Sequence, residues 1–303
     1  MVASSGDTAI VQRPFTIKTF LVPLLTRPKV AMFIKYTVYL FLLINFALYI
    51  QDDYLAFKFA LPPGAPMADI LEQFSTSIDM AAWLGLVFLF ELETHTLPDD
   101  AFKDWVPKAF IAVRLICYLS IGFAAYGFTV ETLEYYDVSR VSDMTSACDL
   151  AGQGVALQLD VIRYQEITTD NCAGISADTA FYQIESEVSV IGESTLKHSQ
   201  IMGWIDVDNA YVWIIVVILI EIEVWMQAAD RFSSRLLTAA RQVKTILYLV
   251  LVANGVIWAT TGYPLYAWDA FLWIFGFWAI ELNLAEWEQD RIKELRASMK
   301  AST

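Results

Sequence analysis

The stretch WLGLVFLFELETH, residues 83–95, begins as an apolar helix and ends with two carboxylates and a histidine. With the residues before it, this run is long enough to enter a bilayer, which takes about 20 helical residues to cross. Glu91 falls inside the apolar part, where insertion scales disfavour a charge by roughly 3 kcal/mol. An acid at this depth needs a partner or a function.

The same pattern occurs twice more, in WIIVVILIEIEVW from Trp213 and WIFGFWAIELNLAEW from Trp273. In each copy a Glu follows the Trp by eight residues, and a second polar residue follows two positions later. The first acids are Glu91, Glu221 and Glu281, and the second positions are Glu93, Glu223 and Asn283. An acid also precedes each Trp, at Asp79, Asp208 and Asp269.

The helix that precedes each copy also follows a shared pattern. KYTVY, RLICY and KTILY each place a basic residue four positions before a Tyr, at Lys35, Arg114 and Lys244. The sequence therefore predicts three copies of a helical hairpin in one orientation, related about an axis along the membrane normal. Inverted transporter repeats have a different symmetry.

Composition predicts an integral membrane protein. Of 303 residues, 57% are hydrophobic, and the mean hydropathy is +0.48. Apolar runs of about 18 residues or more indicate membrane helices. The sequence predicts an all-α membrane protein with six spans, at residues 33–50, 77–97, 110–130, 211–229, 245–261 and 267–287.

Basic residues predict the orientation of these spans. With the N-terminus inside, 16 of the 20 Lys and Arg residues fall on the inner face. We therefore expect a multi-pass protein with both termini in the cytoplasm, in a bacterial inner membrane or another plasma membrane. The predicted segments are a cytoplasmic and interfacial start (1–32), spans one to three (33–130), an acidic extracytoplasmic domain (131–208), spans four to six (209–288) and a basic tail (289–303).

The extracytoplasmic segment carries most of the net charge of −14. It holds fourteen Asp and Glu residues against Arg140, Arg163 and Lys197, so a nucleic-acid partner is excluded. Its acids either form a solvated outer surface or produce an electrostatic field that concentrates cations at a pore mouth. Cys148 and Cys172 can close a loop of about 25 residues, and a disulfide requires an oxidising compartment. Alternating residues in VALQLDV and YQIESEVSV predict short strands.

Two interpretations of the intramembrane acids remain open. In the structural one, each first acid (Glu91, Glu221, Glu281) pairs with a base of a neighbouring hairpin (Lys35, Arg114, Lys244) and only holds the bundle together. The second positions lie about 200° further round the helix. They then face either a common centre or a partner subunit, and at a common centre a ring of Glu93, Glu223 and Asn283 can bind or conduct a cation. Asn45 and Asn254 are further polar residues in the spans, and they either form interhelical hydrogen bonds or line a pore.

Other chemistry has weaker support in the sequence. Glu91 and His95 share one helix face and could take a transition metal, but the other copies do not repeat the pair. The chain lacks GxxxxGK[ST], GxGxxG, GxSxG and HExxH, which disfavours the corresponding enzyme classes. We predict no organic cofactor, although a bound cation is compatible with the acids.

Two functional hypotheses follow. The first is a channel or transporter for a cation or proton that uses the repeated intramembrane carboxylates, which we expect in the cytoplasmic half of the bilayer. The second is a structural or accessory subunit of a larger membrane complex, in which the Glu–Lys and Glu–Arg pairs serve helix packing only. The expected partners are the lipid bilayer and either further copies of the chain or the other subunits of a complex.

Overall fold

The computed structural model describes residues 28–93, 105–142, 144–228 and 234–277. The chain divides into two compact units, Met1–Phe41 and Leu42–Thr303. In the first unit the described residues are helical, and the Thr37 hydroxyl donates to the Phe33 carbonyl over 2.8 Å. The second unit contains the remaining helices, a small β-sheet and the candidate site.

The described residues are mostly helical, as the composition predicts. In a bilayer, a helix satisfies every backbone hydrogen bond internally. The α-helices are α1 (Pro28–Ala60), α2 (Met67–Gln73), α3 (Ser75–Glu91), α4 (Val106–Glu134), α5 (Cys172–Ile175), α6 (Glu193–Ala228), α7 (Ser234–Thr261) and α8 (described over 264–277).

Three of these helices are long and apolar enough to cross a membrane, over Met32–Ala60, Val106–Glu134 and Ala239–Thr261. Helices α2 and α3 together qualify as a fourth, bent by 66° at their junction. Only 17%, 22% and 28% of the most apolar windows of the three helices is buried inside the protein. Such large exposed apolar surfaces require a nonpolar surrounding, which is compatible with a membrane protein.

Helix boundaries differ from the predicted spans at the polar ends. Helix α1 continues to Ala60 rather than ending near residue 50, and α6 begins at Glu193 rather than near 211. The extension of α1 carries Asp53, whose carboxylate accepts a hydrogen bond from the Ser77 backbone N–H over 2.8 Å. This contact satisfies a donor in the first turn of α3.

A glycine turn joins α7 to α8. Gly262 has φ of 101°, a conformation that favours glycine. The backbone N–H of Tyr263 donates to the Trp258 carbonyl over 3.0 Å, which is the hydrogen bond of a Schellman cap. Pro264 then opens α8, where its missing N–H is harmless.

Helices α3, α4, α6 and α7 pack in sequence order: α3 contacts α4, α4 contacts α6, and α6 contacts α7. Close approach depends on small residues. A Cβ atom at Gly127 of α4 would lie 2.0 Å from the Ser75 Oγ, so the absence of a side chain there lets the start of α3 contact α4.

Residues 135–192, here called the lobe, lie between α4 and α6 and contain a five-stranded sheet. Its strands are β1 (Val138–Arg140), β2 (Ala156–Gln158), β3 (Tyr164–Glu166), β4 (Phe181–Ile184) and β5 (Val190–Gly192). Their order is β1-β4-β5-β2-β3, and only the β5–β2 pair is parallel. The prediction of short strands in this segment is confirmed.

The predicted disulfide is also confirmed. Cys148 and Cys172 are bonded, with their Cα atoms 4.7 Å apart. Cys172 packs with Leu157, Ile167 and Phe181 in the lobe core. The crosslink therefore joins the start of α5 and the segment around Cys148 at the lobe core.

Candidate functional site

Four aromatic side chains cluster where the Trp-led helices meet. The ring centroids of Trp83 and Trp213 are 6.1 Å apart, and those of Trp83 and Trp273 are 6.0 Å apart. Phe277 lies 5.1 Å from Trp213 and 6.0 Å from Trp83. The three Trp residues that define the sequence pattern thus lie in one buried aromatic cluster.

A cavity of about 100 Å³ lies on the lobe side of this cluster and is here called the lobe-end cavity. Six of the helices contribute carboxylates to its lining: α1, α2, α3, α4, α6 and α8. No lysine or arginine of the described chain lines it. The seven acids are Asp52, Asp53, Glu72, Asp79, Glu131, Asp206 and Asp269.

Neutral donors hold several of these carboxylates. Indole N–H groups donate to Asp79 and Asp206, each over 3.1 Å, from Trp83 and Trp258 respectively. The Asn45 amide donates to Asp269 over 2.8 Å. Such bonds orient a carboxylate but leave its charge uncompensated, so the cavity is a region of concentrated negative potential.

Burial also shifts the titration of the acids around the cavity. It raises the pKa of Asp206 to about 7, although the hydrogen bond from Trp258 opposes the shift. In the lobe, burial likewise raises the pKa of Glu187 to about 7, and the nearby Glu134 carboxylate adds to this shift.

Two polar atoms in the cavity lining lack hydrogen-bond partners in the described structure. They are the Oγ of Ser75, a residue only 2% exposed, and the Oδ1 of Asn209. An unsatisfied buried polar atom is disfavoured by about 1–3 kcal/mol. A water molecule or a ligand with N–H donors would satisfy them.

The lobe covers part of the cavity through a tight turn between β2 and β3. Asp160 Oδ1 accepts hydrogen bonds from the backbone N–H groups of Ile162 and Arg163, over 3.0 and 2.8 Å. This turn presents Val161, which is 8% exposed and packs in one cluster with Trp258. Val161 and Ile162 both line the cavity, so the lobe is anchored where it covers the acids.

A second opening, of about 490 Å³, lies between α4 and α6. Its walls are mostly apolar, with Tyr118 and Glu221 as polar members. The Tyr118 hydroxyl donates to the Glu221 carboxylate over 2.7 Å. Trp83 lines this opening as well as the lobe-end cavity. The indole of Trp83 therefore forms a wall of both spaces.

Two of the three bases of the repeat pair with second acids. Arg114 bonds Glu93 over 2.8 Å, and Lys244 bonds Glu223 over 2.7 Å. These contacts correct the expectation that Glu93 and Glu223 face a common centre while the bases pair only with the first acids. The 200° turn between the two positions directs the second acid towards the neighbouring helix.

Other predicted residues have separate positions. Asn254 donates to Asp208 over 2.8 Å, and both Asn45 and Asn254 therefore make interhelical hydrogen bonds. Glu91 ends α3, and Lys35 belongs to the first unit. His95, Glu281 and Asn283 lie outside the described residues. Within the described ranges, no three His, Cys, Asp or Glu side chains form a metal-binding group.

Sequence reasoning missed most of the cavity acids. Only Asp79 and Asp269 belong to the repeated pattern, as acids preceding a Trp, whereas Asp52 and Asp53 follow the first predicted span and Glu131 begins the predicted acidic domain. The available signal was their shared position: each lies within a turn or two of the lobe-side end of an apolar run. Because all lobe-side ends meet at one level in a bundle, such acids can converge.

Comparison with known proteins places the chain in no group. No protein-family model, no curated protein and no solved structure matches it.

Proposed function

We propose that this protein is a channel or transporter that moves a cation or a proton across a membrane. The observation that carries the proposal is the lobe-end cavity, in which seven carboxylates from six helices face one space. Two of these acids, Asp79 and Asp269, lie within predicted spans, and ionisable residues in membrane spans are typical of ion pathways. A cavity lined by acids also raises the local concentration of cations.

We further propose that six helices form three equivalent hairpins around a common axis. Four contacts support this arrangement, each joining the first helix of one hairpin to the second helix of another: Arg114 with Glu93, Lys244 with Glu223, Asn45 with Asp269, and Asn254 with Asp208. They connect the second hairpin to the first, the third to the second and the first to the third. A closed ring requires this order.

In this proposal the lobe-end cavity is where the ion enters, and the predicted orientation makes this the extracytoplasmic end. The aromatic cluster closes the inner side of the cavity, because Trp83, Trp213, Trp273 and Phe277 all line it. Rings of apolar side chains can gate a pathway by excluding water. The ion-paired Glu93 and Glu223 hold helices together instead of contacting the ion.

Flux through reconstituted liposomes tests the proposal. Purified protein should carry K⁺, Na⁺ or H⁺ above the rate of empty liposomes, and Asp79→Asn with Asp206→Asn should lower that flux about tenfold or more. Glu193→Gln is the matched control, since Glu193 is an α6 acid that pairs with Lys197 away from the cavity. Wild-type flux equal to that of empty liposomes would refute transport.

A structural subunit of a membrane complex is the second candidate, and the interhelical ion pairs favour it. The Lys244–Glu223 pair is largely buried, with side chains 10% and 17% exposed. Buried pairs of this kind specify how helices associate. Absence of flux, together with a stable partner that purifies with the chain from native membranes, would select this function.

A further inference from the structure

We propose that the lobe-end cavity binds a small organic ammonium ion that keeps N–H donors, such as a primary alkylammonium. This inference deepens the proposed transport function and rests on it, because the bound ion would be the transported one. It names the chemical class of the ion from three features of the cavity: its aromatic walls, its unpartnered acceptors and its volume.

Aromatic side chains line the cavity on all six long helices. Four of them are the tryptophans Trp83, Trp213, Trp258 and Trp273. A tryptophan ring attracts a cation over its face, and the attraction is strongest when both groups are shielded from water. The three tryptophans of the aromatic cluster are each 8% exposed or less. Alkyl groups on an ammonium ion would also gain apolar contact with these rings.

The acceptors around the cavity call for a ligand that donates hydrogen bonds. Asp79 and Asp206 already accept one indole N–H each, and a carboxylate has room for further donors. Asn209 lines the cavity, and its side-chain carbonyl oxygen has no hydrogen-bond partner in the described structure. A primary ammonium supplies three N–H donors, whereas a quaternary ammonium or an alkali ion supplies none.

The volume of the cavity sets the size of the ion. About 100 Å³ is well above the roughly 10–15 Å³ that a single water needs and below the roughly 150 Å³ of a cavity that holds benzene. Ethylammonium has three non-hydrogen atoms and matches this space. Its ethyl group can lie against the tryptophan rings while its N–H groups reach the acids, so ethylammonium is a suitable probe.

Calorimetric titration of the full chain in nanodiscs tests the inference. Ethylammonium chloride should bind saturably in a buffer whose ionic strength is held constant, and at least about tenfold more tightly than KCl or tetramethylammonium chloride. Trp213→Leu should weaken ethylammonium binding about tenfold or more, and Trp213→Phe should retain most of it because an aromatic face remains. The melting temperature of each variant checks that it is folded.

The matched control is Trp204→Leu, because Trp204 lies on the same helix, is 46% exposed and does not line the cavity. This variant should bind ethylammonium as the wild type does. Equal or tighter binding of K⁺, or unchanged ethylammonium binding in Trp213→Leu, would overturn the inference.

These outcomes are separate from a failure of the proposed function. Flux of K⁺ in liposomes without ethylammonium binding would leave transport standing and reject the organic ion. Saturable ethylammonium binding without flux of any cation would reject transport while the binding site stands.

Discussion

At the residue scale, a shift of two residues along a helix changes whether an acid pairs with a base or lines an open space. Glu223 pairs with Lys244, while Glu221 on the same helix accepts from Tyr118 in an opening between α4 and α6. The helical turn of 100° per residue separates their directions by about 200°. The same two-residue spacing therefore produces one structural acid and one acid that faces an open space.

The acids near the lobe predict a pH dependence of stability. Burial raises the pKa of Asp206 and of Glu187 to about 7, from 3.8 and 4.5 respectively. The folded state thus holds these protons more tightly than the unfolded state does. Their contribution to stability is fully present below about pH 4 and is lost as the pH rises to about 7. The melting temperature in nanodiscs should be several degrees lower at pH 8 than at pH 5.

The double variant Asp206→Asn and Glu187→Gln should flatten this dependence. Asp149→Asn is the control that should keep the wild-type dependence between pH 5 and pH 8, since backbone N–H groups of Thr145 and Ser146 lower the pKa of Asp149 from its ordinary 3.8. Its stabilising contribution is present at neutral pH and is lost as the pH falls. A wild-type melting temperature that rises from pH 5 to pH 8 would contradict the assignment.

At the element scale, the close packing of α4 against α3 depends on Gly127, which the apolar sequence pattern does not distinguish from Gly122. Gly127 and Gly122 both interrupt the same apolar helix. A Cβ at Gly127 would lie 2.0 Å from the Ser75 Oγ and 3.1 Å from its Cβ, whereas a Cβ at Gly122 meets nothing within 4 Å. The two glycines therefore differ in whether the residues of another helix pack against them.

Alanine substitution of these glycines should have opposite effects. Gly127→Ala should destabilise the protein by about 1–3 kcal/mol, because the added methyl group separates α3 from α4. Gly122→Ala should be neutral or stabilising by up to about 1 kcal/mol, because alanine favours the helix. Thermal unfolding of both variants in nanodiscs measures the difference. Equal effects would show that α3 and α4 are not in close contact at Ser75.

At the scale of the whole molecule, the lobe, the aromatic cluster and the ion pairs occupy successive levels of the second unit. The lobe turn at Val161 lies over the acids, and Trp83 separates the acids from the opening that contains Glu221. A pathway along the bundle would therefore meet carboxylates, then indole rings, then a single carboxylate.

The predicted orientation gives a direct test at this scale. In a chain with Cys117→Ala, a cysteine at the exposed Gln153 of the lobe should react with a membrane-impermeant maleimide in intact cells. A cysteine at position 301 in the basic tail should react only after permeabilisation, because Lys and Arg favour the cytoplasmic face. Labelling of position 301 in intact cells would reverse the topology.

Local patterns in the sequence were sufficient to predict helices, the disulfide and short strands in the lobe. Apolar runs predict helices since a bilayer leaves the backbone no other partner, and two cysteines in one acidic segment predict their own bond. The pairing of Arg114 with Glu93 could not be predicted in this way. It depends on the rotation of one helix against another, which a spacing of residues does not specify.

The sequence alone predicted the helices and the apolar runs long enough to cross a membrane, because apolar patterning and backbone hydrogen bonding act locally along the chain. Only the tertiary structure decided where the charges meet. The cavity acids come from positions as distant as Asp52 and Asp269, and their convergence depends on the packing of six helices. Electrostatic potential depends on distance in space and not on separation along the chain. An acid near the end of an apolar run therefore becomes part of one site in the folded protein.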